Sequence, residues 1–429
     1  MTRRILALLL CFLLPCCALA ESADAVPADD AVEVTAEELQ SADADVAAVQ
    51  SDPTLTADGK LDAIFRKYAT MGACVVVVEN GAVTYTHCYG LRDRDGEPVT
   101  EDTIFRVGSI SKMITAIGVL QLVQDGRLTL DDDLGDALGF AIRHPQYPNT
   151  VVTLRQLMSH STGLRDSGAY TRALRGDPLP LDQLFSGERL QYAFLTDFEP
   201  GMDCAYSNFG GGLLACLIER LTGQTLDEYM RRNVFEPLGI TAAYQGALLP
   251  ADAPVANMYA MPGKRQTATL RDGKPAATAP DPLRDYVYSA GKLMISAPDL
   301  AKLVIALCDG GIYRDPRLLK ESAVADMTAP QNHVGSVACD TNRGLCMNII
   351  LNAQVEGRLM YGHGGKANGM LCAAYFDPTD RTGVVMLTNG CRNNSVHNGV
   401  GMLGRAVMRI CYDELLSAHV AADPFVVSE

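Results

Sequence analysis

The sequence predicts a mixed α+β fold: one antiparallel sheet assembled from both ends of the folded body and flanked by helices, with a mainly helical second lobe between those ends. Three observations lead there. The stretch "CVVVVENGAVTYTHCYG" at 74–90 sets two β-rich runs around Asn80-Gly81, and that dipeptide between apolar runs is a strong hairpin signal. Near the other end, "MLCAAYFDPTDRTGVVMLTNG" at 370–390 repeats the design, with a turn over 377–382. Between these hairpins the pattern is mostly helical, and strands at both ends with helices between them suit one sheet with an inserted lobe.

The elements follow in chain order. Arg3 and Arg4 precede an apolar run over 5–14, and Ala18-Leu19-Ala20 offers small residues for cleavage; residues 1–20 therefore read as a secretory signal peptide. Lipidation at Cys16 or Cys17 is the weaker alternative, because Pro15 and Cys16 stand where small residues are wanted. Residues 21–55 hold ten acidic and no basic side chains, which predicts a disordered acidic linker unable to bury enough surface to fold alone. The folded domain is expected over 56–415, followed by a tail at 416–429. Its helices are predicted over 109–124, 154–160, 209–221, 226–234, 298–308 and 400–416. The stretch 248–285, rich in Pro, Ala and charge, reads as a loop or small subdomain.

Composition excludes several classes of function. The 429 residues carry a formal charge of −15, and the body without leader and linker stays acidic, so nucleic acid is not an expected partner. No stretch after the leader reaches the ~18 uninterrupted apolar residues of a membrane span. Ten cysteines follow the leader without a C-x-x-C pair. Export permits disulfides, with Cys339 and Cys346 close enough in sequence to form a small loop, while several others read as buried free thiols. The seven histidines show no H-E-x-x-H, so no metal site is expected.

The chemistry starts at "FRVGSISKMI", residues 105–114. Ser109 falls at the amino-terminal end of an apolar helix, and Lys112, three residues on, shares its face. Two readings stay open on these residues alone. Ser109 or Ser111 caps the helix while Lys112 reaches solvent, or Lys112 takes the Ser109 proton and creates a nucleophile beside the positive end of the helix dipole. Further on, "PGMDCAYSNFGGG" places Tyr206 and Asn208 before another buried helix. There a tyrosine can act as base or proton shuttle and an asparagine amide can orient a substrate carbonyl. In "YGHGGKANGMLCAAYF", Gly364 and Gly365 permit close backbone approach, and the Lys366 N–H can join that of Ser109 in an oxyanion hole.

Ser109-x-x-Lys112, Tyr206-x-Asn208 and His363-x-Gly365 together resemble, in order, the three motifs of the penicillin-recognising serine hydrolases, specifically the class C β-lactamase-related branch. The segments "VTLRQLMSHSTGL" (152–164), "FEPLGI" (235–240) and "SAGKLMISAPDLAKL" (289–303) match as well, and the resemblance spans about residues 56–415. It implies a β-lactamase-like fold and an acyl-enzyme on Ser109. Lys112 and Tyr206 would manage the proton, Asn208, His363 and Gly365 would contact substrate, and Ser109 with Lys366 would hold the oxyanion, with no metal or organic cofactor. The departure lies at His363-Gly364-Gly365, where true class C β-lactamases carry K-T-G. A histidine of ordinary pKa ~6.5 is mostly neutral at pH 7, and the loss of a fixed cation weakens the case for β-lactam hydrolysis. Family members with His at this place include esterases and peptidases, so the resemblance implies small ester, amide or cell-wall peptide substrates. A D-Ala-D-Ala carboxypeptidase, a β-lactamase and a penicillin-binding sensor without turnover remain the alternatives.

Overall fold

The computed structural model describes residues 32–33, 35–315, 317–331, 342–351, 355–392, 395–397 and 400–416. The predicted signal peptide, most of the predicted tail and Cys339 lie outside them.

Two short turns shape the sheet. Asn80 and Gly81, with φ of 51° and 79°, join strand β1 (Gly72–Glu79) to β2 (Ala82–Gly90). Positive φ at both central residues gives a turn whose twist matches that of paired strands, and Asn-Gly adopts it most readily. After the short β3 (Asn342–Arg343) and β4 (Asn348–Leu351) comes a second Asn-Gly turn. It connects β5 (Leu359–Ala367) to β6 (Met370–Asp377), with Asn368 at 50° and Gly369 at 95°. β7 (Thr382–Thr388) closes on β1 with Val75 opposite Met386, so the order is β2-β1-β7-β6-β5-β4-β3, antiparallel throughout.

Helices cover both faces, which explains the unbroken valine run in β1. On one face Val75, Val77, Tyr375 and Met386 pack against Leu61, Ile64 and Phe65 of the helix Ala57–Lys67 and against Leu403, Val407 and Ile410 of Met402–Glu414. On the other, Val76, Phe376 and Val385 meet Leu300 and Val304 of Ala297–Cys308, whose core continues into the helical lobe. That lobe is organised by two long helices, Ile110–Gln124 and Asn208–Thr222, each buried along most of its length.

The mixed fold and the sheet drawn from both ends agree with the sequence reading; three local expectations do not. Residues 21–55 are not a linker throughout, since Ala36–Gln50 is a helix. Leu39 and Val49 pack beside the buried Val46, while Asp43 pairs with Arg405 and Arg409 at 2.9 and 2.6 Å. The segment cannot bury a core alone, but the C-terminal helix supplies both an apolar surface and opposite charge. The predicted 226–234 helix is α-helical only over Leu226–Met230 and continues as a wider π turn over Arg231–Phe235. Cys346 is a buried free thiol, contrary to the proposed small loop, whereas Cys204 is disulfide-bonded. The stretch 248–285 contains a two-stranded hairpin, Met258–Ala260 with Arg265–Ala268.

Candidate active site

Ser109 is delivered by a second, small sheet. Ile104–Arg106 pairs with Met294–Ser296, and the Val107 N–H donates to Leu293 O at 3.0 Å. The chain then turns at Gly108, whose φ is +56°; a Cβ there would lie 2.8 Å from Met370 Cε and 2.9 Å from the Lys366 nitrogen. Both the dihedral and the crowding require glycine. Gly365 is under the same pressure, since a Cβ there would lie 2.0 Å from Val107 O. These two glycines bring the start of the Ile110–Gln124 helix against β5, with the Lys366 nitrogen close to Gly108.

Ser109 occupies the first cap position of its helix, yet its side chain makes no capping hydrogen bond. Local structural duty falls instead on Ser111, whose hydroxyl donates to Gly108 O at 2.6 Å and accepts from the Leu293 N–H at 3.0 Å. The Ser109 hydroxyl is left to Lys112, whose Nζ stands 3.1 Å away.

Lys112 is 0% exposed, an uncommon state for a lysine. Its stem lies along Gly211, where a Cβ would come within 2.4 Å of Cε. Nζ also donates to Asn208 Oδ1 at 2.8 Å and to Ala290 O at 2.5 Å. Both oxygens only accept, so they occupy two N–H bonds. The third direction faces Ser109 Oγ: the ammonium donates an N–H there, and the same direction becomes the lone pair once that proton is given up.

Asn208 is fixed from behind. Its Nδ2 donates to Asp166 Oδ2 at 2.8 Å, while Asp166 Oδ1 accepts from Ser207 Oγ at 3.1 Å and from the Phe209 N–H at 2.8 Å. The carboxylate therefore sits at the amino terminus of the Asn208–Thr222 helix, where orphan N–H groups and the dipole favour an anion.

The opposite wall holds Tyr206, His363 and His160. The Tyr206 ring lies 4.4 Å from that of His160 and 6.2 Å from that of His363, centroid to centroid. Lys112 Nζ and the Arg343 guanidinium approach the ring at 5.0 and 5.3 Å. The Tyr206 hydroxyl, His160 Nε2 and His363 Nε2 are buried and make no hydrogen bond among the described residues. His363 Nδ1 lies 2.6 Å from Gly364 O, and because a carbonyl only accepts, the proton is on Nδ1 and Nε2 presents a lone pair. Burial, with the charges of Arg343 and Lys112 added, pushes the His363 pKa down to about 3. His160 is displaced in the same direction, well below the usual range, again mainly by burial. Its Nδ1 accepts from the Ser207 N–H at 3.3 Å, which places its proton on Nε2.

The structure thus brings Ser109, Lys112, Tyr206, Asn208, His363, Gly365 and Lys366 to one place. It does not hydrogen-bond the Tyr206 hydroxyl to Ser109 or Lys112; the ring lies against His160, His363, Lys112 and Arg343. Sequence reasoning missed Asp166, Ala290, His160 and Arg343. For Ala290 and His160 a signal existed, since both lie inside segments already singled out. Among the described residues no cluster of metal-ligating side chains occurs, and no helix is long and apolar enough to cross a membrane.

Comparison with known proteins agrees with this geometry. The Beta-lactamase family model matches residues 55–406, and the chain belongs to that family. It is an enzyme of the serine hydrolase class. It is 28% identical over 345 residues to penicillin-binding protein 4 of Amycolatopsis lactamdurans, covering 77% of this chain and 84% of that one. It is also 35% identical over 196 residues to the esterase EstB of Burkholderia gladioli, covering 42% of this chain and half of the esterase, 50%. Among solved structures, the octameric penicillin-binding protein homologue of Pyrococcus abyssi superposes with a TM-score of 0.63 at 24% identity, over 84% of this chain and 77% of that one; this last likeness concerns the fold.

Proposed function

We propose that the protein hydrolyses small esters, and amide or peptide bonds of similar shape, through an acyl-enzyme on Ser109. The observation that carries this reading is the buried Lys112 amine, with two carbonyl acceptors on its N–H bonds and Ser109 Oγ at 3.1 Å. As Ser109 Oγ bonds to the substrate carbonyl carbon, its proton passes to Lys112 Nζ. The oxyanion is received by the Ser109 and Lys366 N–H groups, a role supported by the closeness of the Lys366 nitrogen to Gly108, where an added Cβ would lie 2.9 Å from it. Tyr206, with a hydroxyl that no group among the described residues engages, is suited to hand a proton to the leaving group and later to help activate water.

His363 supports an ester or amide in preference to a β-lactam. Its ring is neutral, and Nε2 offers an acceptor rather than a positive charge. It suits a substrate N–H or O–H, not a carboxylate that needs a fixed cation. We place the reaction outside the cytoplasm, a reading supported by the basic and apolar segment 1–20 and by the disulfide at Cys204. A cell-wall peptidase or covalent penicillin sensor is the second reading, favoured by the long match to a penicillin-binding protein.

The test is intact mass and peptide mapping after incubation with p-nitrophenyl butyrate and, separately, benzylpenicillin, with Ser109→Ala as control. The expected result is repeated ester turnover, a transient butyryl group on Ser109 and no lasting penicillin adduct. A stable penicilloyl group on Ser109 would instead support the peptidase or sensor, and hydrolysed penicillin with adduct-free protein a β-lactamase. Labelling that survives Ser109→Ala would overturn the mechanism.

A further inference from the structure

We infer that Asp166 is a positioning residue for acylation: it fixes which end of the Asn208 amide faces Lys112, and thereby aims the Lys112 lone pair at Ser109. The inference rests on the reading of Ser109 and Lys112 as nucleophile and base.

An asparagine side chain has two nearly isosteric ends with opposite hydrogen-bonding character. Turned one way, Asn208 gives Lys112 an acceptor and holds one of its N–H bonds. Turned the other way, it gives Lys112 an N–H donor, which competes with the Ser109 hydroxyl for the amine lone pair. Nothing in Asn208 itself selects between the two. Asp166 does so, because an ionised carboxylate accepts only, and its Oδ2 lies 2.8 Å from Asn208 Nδ2. With Nδ2 committed, Oδ1 points to Lys112 at 2.8 Å.

Asp166 is itself held in place. Its Oδ1 takes the Ser207 hydroxyl and the Phe209 N–H, so the carboxylate cannot rotate away from the helix end. Ser207 also accepts from the Gly210 N–H at 2.9 Å, which ties the hydroxyl to the same helix. The chain of fixed directions runs from the helix terminus to Asp166, to the Asn208 amide, to Lys112 and to Ser109. In the chemical step the Ser109 O–H bond breaks, its proton moves to Lys112 Nζ, and Oγ forms the bond to the carbonyl carbon. Asp166 gains and loses nothing; it acts only through Asn208.

Asp166→Asn is the informative change. The new side chain is the same size and keeps one oxygen for Ser207 and Phe209, which leaves its NH₂ facing Asn208. Asn208 must then turn its oxygen to position 166 and its NH₂ to Lys112. Single-turnover acylation by p-nitrophenyl butyrate should slow on the order of 10²-fold, in line with the loss of an aligned general base. The apparent dissociation constant of the ester and the melting temperature should stay close to wild type, a split that general loosening of the fold would not give. The decisive control is Asn208→Ala, which keeps Asp166 on the helix end. It should slow acylation by itself, and Asp166→Asn added to it should cost no more than about threefold further, because residues acting through one another are not additive. Wild-type acylation rates in Asp166→Asn, or in Asn208→Ala, would overturn the inference. So would full multiplication of the two losses in the double variant. If the wild-type protein is never acylated on Ser109, this inference falls together with the hydrolase reading; unaltered variants of an active enzyme defeat this inference alone.

Discussion

The two walls of the site are built on opposite plans. On the Lys112 wall the polar groups are spent on one another: Asp166 engages Ser207, Asn208 and Phe209, while Lys112 engages Asn208, Ala290 and Ser109. On the Tyr206 wall a phenol and two imidazole nitrogens are buried with no hydrogen-bond partner among the described residues. Buried polar groups without partners are uncommon because each forfeits its hydration. The difference separates two duties. A satisfied network holds a base in one orientation before substrate arrives, whereas unsatisfied donors and acceptors offer hydrogen bonds that only a bound molecule completes.

The largest effect should come from breaking the satisfied wall at its end. Ser109→Ala removes the nucleophile and should abolish covalent labelling by a fluorophosphonate probe, with the circular dichroism spectrum unchanged because the Ser109 side chain caps nothing. Residual labelling at the wild-type rate would place the nucleophile elsewhere. Next comes Gly211→Ala. The added methyl would lie 2.4 Å from Lys112 Cε and must move the lysine, whose Nζ is pinned by three partners. Misplacement by about 1 Å of a catalytic group can cost on the order of 10²-fold, so acylation should fall by about that factor. Alanine is also the better helix former, which offsets part of the crowding in stability. An unimpaired Gly211→Ala enzyme would show that Lys112 need not be held so tightly.

The unsatisfied wall predicts a dependence on pH. His363 has a folded pKa of about 3, against an ordinary value of 6.5. Between those values the unfolded chain binds a proton that the native protein excludes. Stability therefore falls as pH drops from about 6.5 towards 3 and is unaffected by this group above that window. His160, displaced in the same direction, steepens the fall. His363→Gln removes one of the two contributions, and its melting temperature should decline less steeply with acidification over that window. Parallel declines in variant and wild type would mean that His363 is not held neutral by the site.

Much of this architecture could be read from the chain, and the parts that could not share a cause. Asn80-Gly81 announces its hairpin locally, and the three-residue spacing from Ser109 to Lys112 places both on one helix face whatever surrounds them. Asn368-Gly369 carries the same local signal in "KANGML" and joins the strand bearing His363 to its neighbour. Asp166 is different. It is a lone acid in an irregular segment, 42 residues from the amide it orients, and no periodicity marks it. The helix Ala36–Gln50 was hidden for a related reason. Its composition describes a segment that cannot fold alone, while its partners Arg405 and Arg409 lie more than 360 residues away. Local chemistry is legible in a sequence, but contacts that depend on the completed fold are not.

The smallest expected effect is also the sharpest test of the contrast between the walls. Asn208→Ala strips one partner from the half-buried Asp166 and one from the buried Lys112, and leaving a buried group unsatisfied costs about 1–3 kcal/mol. Thermal unfolding of that variant should therefore show a clear loss. Tyr206→Phe removes a hydroxyl that no group among the described residues uses, so none of them is orphaned and the ring keeps its contacts with His160, Lys112 and Arg343. Its stability should stay within about 0.5 kcal/mol of wild type, as for a substitution that breaks no network, while ester turnover falls because proton transfer to the leaving group is lost. Equal destabilisation by the two substitutions would erase the distinction between a wall built to hold a base and a wall left open for substrate. Full activity in Tyr206→Phe would keep the distinction but move the proton transfer to Lys112 alone.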